Sequence, residues 1–343
     1  MQIHEISGQT GRSRILVGEV MAQIPQHLPE SSRVVIITDD NVRHYHADRF
    51  PKAADVISIG TGEGIKTLDT VETICERLIS IEADRSVFLL GIGGGIVCDI
   101  TGFAASIYLR GVRFGYIPTT LLAQVDAGVG GKTGVNFMGY KNIIGTFSQP
   151  ELVACDPCFL ATLPQEELSC GFAEIVKHAA IADAAYFGML ENFSIESMAS
   201  DPGIIEPIVY RSVVIKADVV GRDEREKGER RKLNFGHTLG HALEKTTGIS
   251  HGRAVSVGMM AAAKLSREKN LIRQDDVLRL KNLLESLNLP TSTAMDVPAV
   301  IDALARDKKR EGDMIHFVLL TGIGRAVIET IRLDFLEKVL LGP

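Results

Sequence analysis

The first half of the chain repeats one pattern: a short β-branched or aliphatic run, a polar or glycine-rich turn, then a helical stretch. Arg33-Val-Val-Ile-Ile-Thr38 reads as a buried strand followed by the polar Asp39-Asp40-Asn41. Val56-Ile-Ser-Ile59 reads as a second strand, closed by Gly60-Thr-Gly-Glu-Gly64. Val71, Ile74, Leu78 and Ile81 recur at helical spacing and predict an amphipathic helix over 67–81. Ser86-Val-Phe-Leu-Leu90, a glycine-rich turn, a helix over 100–109 and a strand at Arg113-Phe-Gly-Tyr-Ile117 continue the alternation. Strands apolar along their whole length need cover on both faces, so this order predicts a Rossmann-like α/β domain built on a mostly parallel sheet.

Past residue 163 the strand signals fade. Helical periodicity dominates 166–180, 183–193, 204–220, 236–245, 254–269 and 274–287, with one late β-like return at Ile315-His-Phe-Val-Leu-Leu320. The expected organisation is an α/β domain over 1–163 and a mostly α-helical, metal- and substrate-binding domain over 164–343. Repeats and low-complexity tracts are absent from the sequence.

Several function classes drop out. A net charge of −6 argues against a nucleic-acid binder, which would carry a basic excess or stripe. The N-terminus lacks the basic-then-apolar pattern of a signal peptide. The apolar stretch over 91–109 is broken by Asp99, so no membrane span is expected. Five scattered cysteines fit a reducing compartment, with the cytoplasm as the default location. Cys155-Asp-Pro-Cys158 forms a C-x-x-C without a second pair, and reads as coincidence at the end of a strand.

Reactive groups concentrate in a few places. Gly93-Gly94-Gly95 and Asp99 follow a strand and open a helix, an arrangement whose backbone N–H groups suit a pyrophosphate. Asp39, Asn41 and Glu63 lie past strand ends, where they serve either as ribose ligands or as turn and capping residues. Gly128-Val-Gly-Gly-Lys132-Thr133 falls short of a P-loop because Asp126 stands where the first glycine belongs. Lys132, joined by Lys141 and Asn142, remains a phosphate candidate, against a solvated loop as the alternative. Glu174 and Lys177, three apart, share a helix face. His237 and His241, four apart, do the same, and with a carboxylate they form a common catalytic zinc set. His178, one turn after Glu174, is a rival ligand. The charged run from Asp223 to Arg230 leads into this cluster, making Arg230 and Lys216 anion candidates or parts of a solvated face.

Taken together, several segments resemble the 3-dehydroquinate synthase family. They are Gly93-Gly-Gly-Ile-Val-Cys-Asp99, Arg110-Gly-Val-Arg113, Pro118-Thr-Thr-Leu-Leu122, Gln124-Val-Asp126, Gly130-Gly-Lys-Thr-Gly-Val-Asn136, Lys141-Asn142 and Thr162-Leu-Pro164. In the same order follow Glu174-Ile-Val-Lys177, Leu233-Asn-Phe-Gly-His-Thr-Leu-Gly-His241, His251-Gly252 and Asp307-Lys-Lys309.

The resemblance implies conversion of 3-deoxy-arabino-heptulosonate 7-phosphate to 3-dehydroquinate and phosphate. The route is transient oxidation by NAD, β-elimination, re-reduction and aldol closure. It implies a homodimer, with NAD and Zn2+ (or Co2+) as cofactors. Glu174, His237 and His251 become the metal ligands. His241 moves from metal to substrate phosphate, with Lys132, Asn142, Asn234, Lys308 or Lys309, and Arg110 from the other subunit. Asp126, Lys177, Lys216 and Arg230 would hold the substrate's hydroxyls and carboxylate. Asp39, Asn41, Glu63, Lys66, the three glycines 93–95, Asp99, Thr119, Thr120, Lys132, Lys141, Phe159, Thr162 and Glu167 would surround NAD. Two departures stand out: Arg253 replaces the family's glutamate in His-Gly-Glu-Ala-Val, and the His241–His251 linker is shorter than usual. Both concern the surroundings of the metal. Another sugar-phosphate cyclase of the superfamily, a metal-dependent polyol dehydrogenase and a non-catalytic NAD- or metal-binding protein are the competing readings.

Overall fold

The computed structural model describes residues 1–30, 32–52, 54–305, 310–311 and 314–341. The chain divides into two units, Met1–Pro164 with Pro202–Arg225, and Gln165–Asp201 with Glu226–Pro343. The expected single cut at 163/164 therefore differs from the observed division in one segment: the chain returns to the first unit at Pro202 and leaves it after Arg225.

The first unit is built on a seven-stranded sheet in the order β1-β2-β9-β6-β5-β3-β4. Its strands are β1 (Gln2–Gly8), β2 (Gly11–Val17), β3 (Val34–Thr38), β4 (Asp55–Ser58), β5 (Phe88–Gly93), β6 (Arg113–Pro118) and β9 (Leu152–Cys155). All pairings are parallel except the β1–β2 hairpin. A two-stranded ribbon, β7 (Lys132–Phe137) and β8 (Tyr140–Phe147), stands apart from it. The helices are α1 (Ile24–His27), α2 (Asp40–His46), α3 (Leu68–Ser80), α4 (Gly95–Ile107) and the returning α8 (Pro202–Arg222).

Local chemistry accounts for these elements. The Thr67 hydroxyl caps α3, whose Val71, Ile74 and Leu78 are buried as their spacing predicts. All six residues of β5 are buried, as a central parallel strand requires. Leu16, Ile36, Phe88, Leu90, Ile117, Leu152 and Phe159 belong to one core cluster. Burying each such side chain contributes roughly 1.5–3 kcal/mol. At the end of α8, Glu224 accepts hydrogen bonds from the Gln9 and Thr10 backbones, the Thr10 hydroxyl and the Gln149 amide. The β1–β2 turn is thus tied to a residue more than 200 positions away.

The second unit is mostly helical. It contains α5 (Gln165–Ala182), α6 (Ala184–Leu190), α7 (Ile195–Ser200), α9 (His237–Thr247), α10 (His251–Glu268), α11 (Gln274–Ser286), α12 (Val297–Ala305) and α13 (Leu333–Leu341). A small antiparallel sheet joins β10 (Arg310–Glu311), β11 (Met314–Gly322) and β12 (Arg325–Arg332). From Leu168 to Ile181 every residue of α5 is buried, so that helix is covered on all sides. Two close approaches set its neighbours. A Cβ on Gly258 would lie 1.9 Å from the Gly236 carbonyl oxygen, and one on Gly252 would lie 2.3 Å from Cys170 Cα. The first brings α10 against the start of α9; the second brings the start of α10 against α5. Among the described residues no helix is long and apolar enough to cross a membrane.

Candidate active site

The tight helix contacts of the second unit place His237 at the start of α9 and His251 at the start of α10 beside Glu174 of α5. The two imidazole Nε2 atoms lie 3.5 and 3.7 Å from the same carboxylate oxygen, Glu174 Oε1. All three ligand atoms fall within 4.8 Å of one another. His237 Nδ1 faces the Phe235 carbonyl at 3.3 Å, and His251 Nδ1 meets Glu244 Oε1 at 2.7 Å. Each ring is therefore held from behind with its Nε2 turned to the shared carboxylate. Burial pushes the His237 pKa well below its usual value, so the ring is in its neutral, ligand form. Burial opposes protonation of His251 as well, but hydrogen bonds to Glu174 and Glu244 outweigh it and raise its pKa to about 10. A carboxylate and two imidazoles so arranged fit a divalent ion such as Zn2+ or Co2+, which would take the place of the proton on His251 Nε2.

The other residues of this cluster are close by. Lys177 Nζ donates to the second oxygen, Glu174 Oε2. His178, the rival ligand, is fully buried one turn beyond Glu174. His241 is exposed and stacks edge-on to His237 with ring centres 5.4 Å apart. It also falls in a second group of potential ligands with Glu244 and His251. Asn234 Nδ2 donates to Glu226 Oε1 at 2.5 Å, and Arg230 is buried at 3 % exposure. Glu167 lies in the exposed first turn of α5. Lys308 and Lys309 lie outside the described residues.

In the first unit, Gly94 is the N-cap of α4 and no side chain caps that helix. Uncapped first-turn N–H groups of this kind suit an anionic ligand. A Cβ on Gly94 would meet Thr120 at 3.2 Å, and Thr119 donates its N–H to the Gly93 carbonyl, so both threonines border the glycine turn. This bare helix end fits the pyrophosphate of a dinucleotide such as NAD. Asp39 caps α2 by accepting the Val42 N–H, and Asn41 is exposed in the first turn of that helix. Lys66, buried at 5 % exposure, reaches Asp99 Oδ2 and Asn142 Oδ1, each at 2.5 Å. Burial raises the Asp99 pKa, while Lys66 works in the opposite direction. Lys216 donates to Asp126 Oδ1 at 2.5 Å and to the Asp126 carbonyl at 2.6 Å. Lys132 and Lys141 are exposed on the β7–β8 ribbon. Arg110 is exposed between Leu109 and Gly111, and all three adopt left-handed backbone angles.

Two contacts escaped the reading of the sequence. His46 Nε2 lies 2.8 Å from Thr162 Oγ1, and its ring packs edge-on to Phe159. Glu244 stands one turn after His241 on the same helix face, and that i, i+3 spacing was the available signal. Cys155 and Cys158 are both free thiols, and burial raises both pKa values, that of Cys158 to about 12. They are held as protonated structural groups, consistent with a coincidental C-x-x-C.

Comparison with known proteins places this geometry in context. A family model described as 3-dehydroquinate synthase N-terminal matches residues 56–170, and one described as 3-dehydroquinate synthase C-terminal matches residues 171–310. A 3-dehydroquinate synthase of Sulfurovum sp. (strain NBC37-1) is 44 % identical over 334 residues, covering 92 % of this chain and 94 % of that protein. Among solved structures, 2-deoxy-scyllo-inosose synthase complexed with carbaglucose-6-phosphate, NAD+ and Co2+ superposes with a TM-score of 0.89 at 28 % identity, covering 99 % of both chains. The 2-epi-5-epi-valiolone synthase ValA from Streptomyces hygroscopicus subsp. jinggangensis 5008, with NAD+ and Zn2+ bound, gives 0.88 at 29 % identity, covering 99 % and 98 %.

Proposed function

The chain belongs to the 3-dehydroquinate synthase family, and from that premise we infer how its residues serve the conversion of 3-deoxy-arabino-heptulosonate 7-phosphate to 3-dehydroquinate and phosphate. The observation that carries the reading is the approach of two imidazole Nε2 atoms to one oxygen of Glu174, at 3.5 and 3.7 Å. When bound, NAD and a divalent metal held by Glu174, His237 and His251 supply reversible oxidation of a substrate hydroxyl whose acidity the metal raises.

The chain's own groups do the rest. Lys177, bonded to the second oxygen of Glu174, keeps that carboxylate turned toward the histidines and offers its ammonium to substrate oxygens. Lys216 and Asp126 form a fixed pair for the hydroxyls, and buried Arg230 takes the substrate carboxylate. Oxidation at one carbon acidifies the neighbouring C–H, after which phosphate departs by β-elimination. Lys132, Asn142, Asn234, His241 and Lys308 or Lys309 hold the leaving phosphate and orient it toward that proton. Gly93, Gly94 and Gly95, with Thr119, Thr120, Asp99, Lys66, Lys141, Asp39, Asn41, Glu63, Phe159, Thr162 and Glu167, take the dinucleotide.

The same reading includes a cytoplasmic homodimer in which Arg110 of the partner subunit joins the phosphate ligands. Exposed Ile107 and Leu109 at the end of α4, and Phe137, Met138 and Tyr140 on the β7–β8 ribbon, support such a contact. The ribbon is tied to α4 by a 3.0 Å hydrogen bond from Thr146 to Ser106. Large apolar side chains grouped on a surface favour association.

The test is phosphate release from the heptulosonate phosphate, with and without NAD and a strong chelator, while following NADH absorbance. Release with catalytic NAD, no accumulation of NADH and loss on chelation are expected. No release from metal- and NAD-replete protein would overturn the assignment.

A further inference from the structure

Residue 136 is the point where the β7–β8 ribbon stops being regular. Val135 pairs with Ile144 and Phe137 pairs with Tyr140, so Asn136 alone stands opposite Lys141, Asn142 and Ile143, and the extra residues of the bulge lie on β8. The ladder is interrupted at such a place. The backbone N–H of Asn136 donates instead to the Lys66 carbonyl at 2.8 Å. Its amide works at both ends: Oδ1 accepts the Asn142 N–H at 2.9 Å, and Nδ2 donates to Glu63 Oε1 at 2.7 Å. The neighbours fix the orientation of this amide, because a backbone N–H needs an acceptor and a carboxylate needs a donor.

The residues so held are themselves linked. Asn142 adopts a left-handed backbone, φ +52°, an uncommon conformation that its hydrogen-bonded surroundings maintain. Its side-chain oxygen meets Lys66 Nζ at 2.5 Å, and Lys66 meets Asp99 at the same distance. Asn136 therefore bonds directly to the segment following β4, through Glu63 and Lys66, and to the far strand of its own ribbon, through Asn142.

We propose that Asn136 is a positioning residue, which sets Glu63 and Lys66 for the ribose hydroxyls of a dinucleotide and Asn142 for the phosphate monoester of the substrate. The inference rests on the roles given above to Glu63, Lys66 and Asn142. Asn136 itself touches neither ligand. Its place opposite the bulge makes one amide responsible for the relative placement of cofactor-side and phosphate-side groups.

The test measures NAD affinity of the metal-loaded, full-length protein by calorimetry without substrate, and KM and kcat separately. Asn136→Ala is expected to raise the NAD Kd and the substrate KM by about tenfold each, the loss of one charge-assisted hydrogen bond, with a smaller effect on kcat. Asn136→Asp keeps an acceptor for Asn142 N–H but sets a carboxylate against Glu63. It is expected to weaken NAD binding while leaving competitive inhibition by inorganic phosphate near wild type. Adding Glu63→Gln to Asn136→Asp restores a donor–acceptor pair, and the double variant is expected to lose less NAD affinity than the two single substitutions combined, a coupling that a merely structural role for residue 136 would not produce. Wild-type NAD affinity and KM in Asn136→Ala would overturn the inference alone. Absence of NAD binding by the wild-type protein would overturn the functional reading, and the inference with it. If Asn136→Ala fails to fold, the Asn136→Asp pair decides.

Discussion

Glu244 Oε1 accepts a hydrogen bond from His251 Nδ1 at 2.7 Å, so a carboxylate on α9 holds the histidine at the start of α10. Two residues on from His251, Arg253 stands where the family carries an acid. The acid behind His251 comes instead from another helix. Glu244→Gln is expected to weaken divalent-metal affinity by about 10- to 100-fold, the usual effect of losing such a partner. Competition with a chromogenic chelator measures it; unchanged affinity would refute the role.

Removing metal tests the ligand set as a whole. Dialysis against a strong chelator should abolish phosphate release, and stoichiometric Zn2+ or Co2+ should restore it. His237→Ala should resist restoration at concentrations that saturate the wild type, because a single imidazole and carboxylate bind too weakly. Full activity in demonstrably metal-free protein would exclude the arrangement.

The Lys216–Asp126 pair offers a kinetic test in the first unit. Lys216→Met keeps most of the buried stem and deletes only the ammonium that meets Asp126. We expect kcat/KM to fall by about 100- to 1,000-fold, comparable to losing a preorganised donor in other active sites. Progress curves at subsaturating substrate report it directly. A loss below about threefold would assign the pair a purely structural role.

Acid stability should depend on Glu224. Burial works against its ionisation, but hydrogen bonds from Thr10, Gln149 and Gln9 prevail and hold the carboxyl below its ordinary value of 4.5. A folded-state pKa below the unfolded one stabilises fully above the unfolded value, and that contribution disappears as pH falls through the folded value. Glu224→Gln should therefore flatten the stability profile below about pH 4.5, with a cost of about 1–3 kcal/mol at neutral pH. Denaturant titrations from about pH 3 to about pH 7 would reveal an unchanged slope if the anchor were unimportant.

The helix contacts make a paired prediction. Gly258→Ala would force a methyl to within 1.9 Å of the Gly236 oxygen and should cost about 3 kcal/mol or more. Gly188, within α6, has only Glu191 Oε2 within reach of an added Cβ, at 3.9 Å. Gly188→Ala should therefore stabilise by about 0.5–1 kcal/mol through helix propensity. Thermal melts of the two variants should move in opposite directions.

Much of this architecture is legible in the residues. The run at 33–38 became β3, the apolar spacing of 67–81 became α3, and the late run at 315–320 became part of β11. These segments carry their periodicity within themselves. The β1–β2 hairpin was not read, because only one or a few residues of each strand are buried and its turn depends on distant Glu224. The β7–β8 ribbon is not legible as strands, because Gly130, Gly131, Gly134, Gly139 and Gly145 interrupt any alternating pattern. Its strands in fact need glycine, since a Cβ on Gly145 would strike the Thr133 carbonyl oxygen at 2.1 Å. In the candidate site, spacing alone selected His237 and His241, which share a helix face. The approach of His251 and Glu174 is a tertiary fact, set by helix packing that no local pattern encodes.

The return of α8 to the first unit has a consequence for synthesis on the ribosome. Domains commonly begin folding as soon as their last residue has emerged. Here the first unit lacks Lys216 and the Glu224 anchor of its leading hairpin until residue 225 has been made, after α5, α6 and α7. A nascent chain stalled near residue 164 would therefore hold an unfinished sheet protein. The first unit is complete only once residue 225 has been made, and neither unit could be exchanged as one uninterrupted piece of gene.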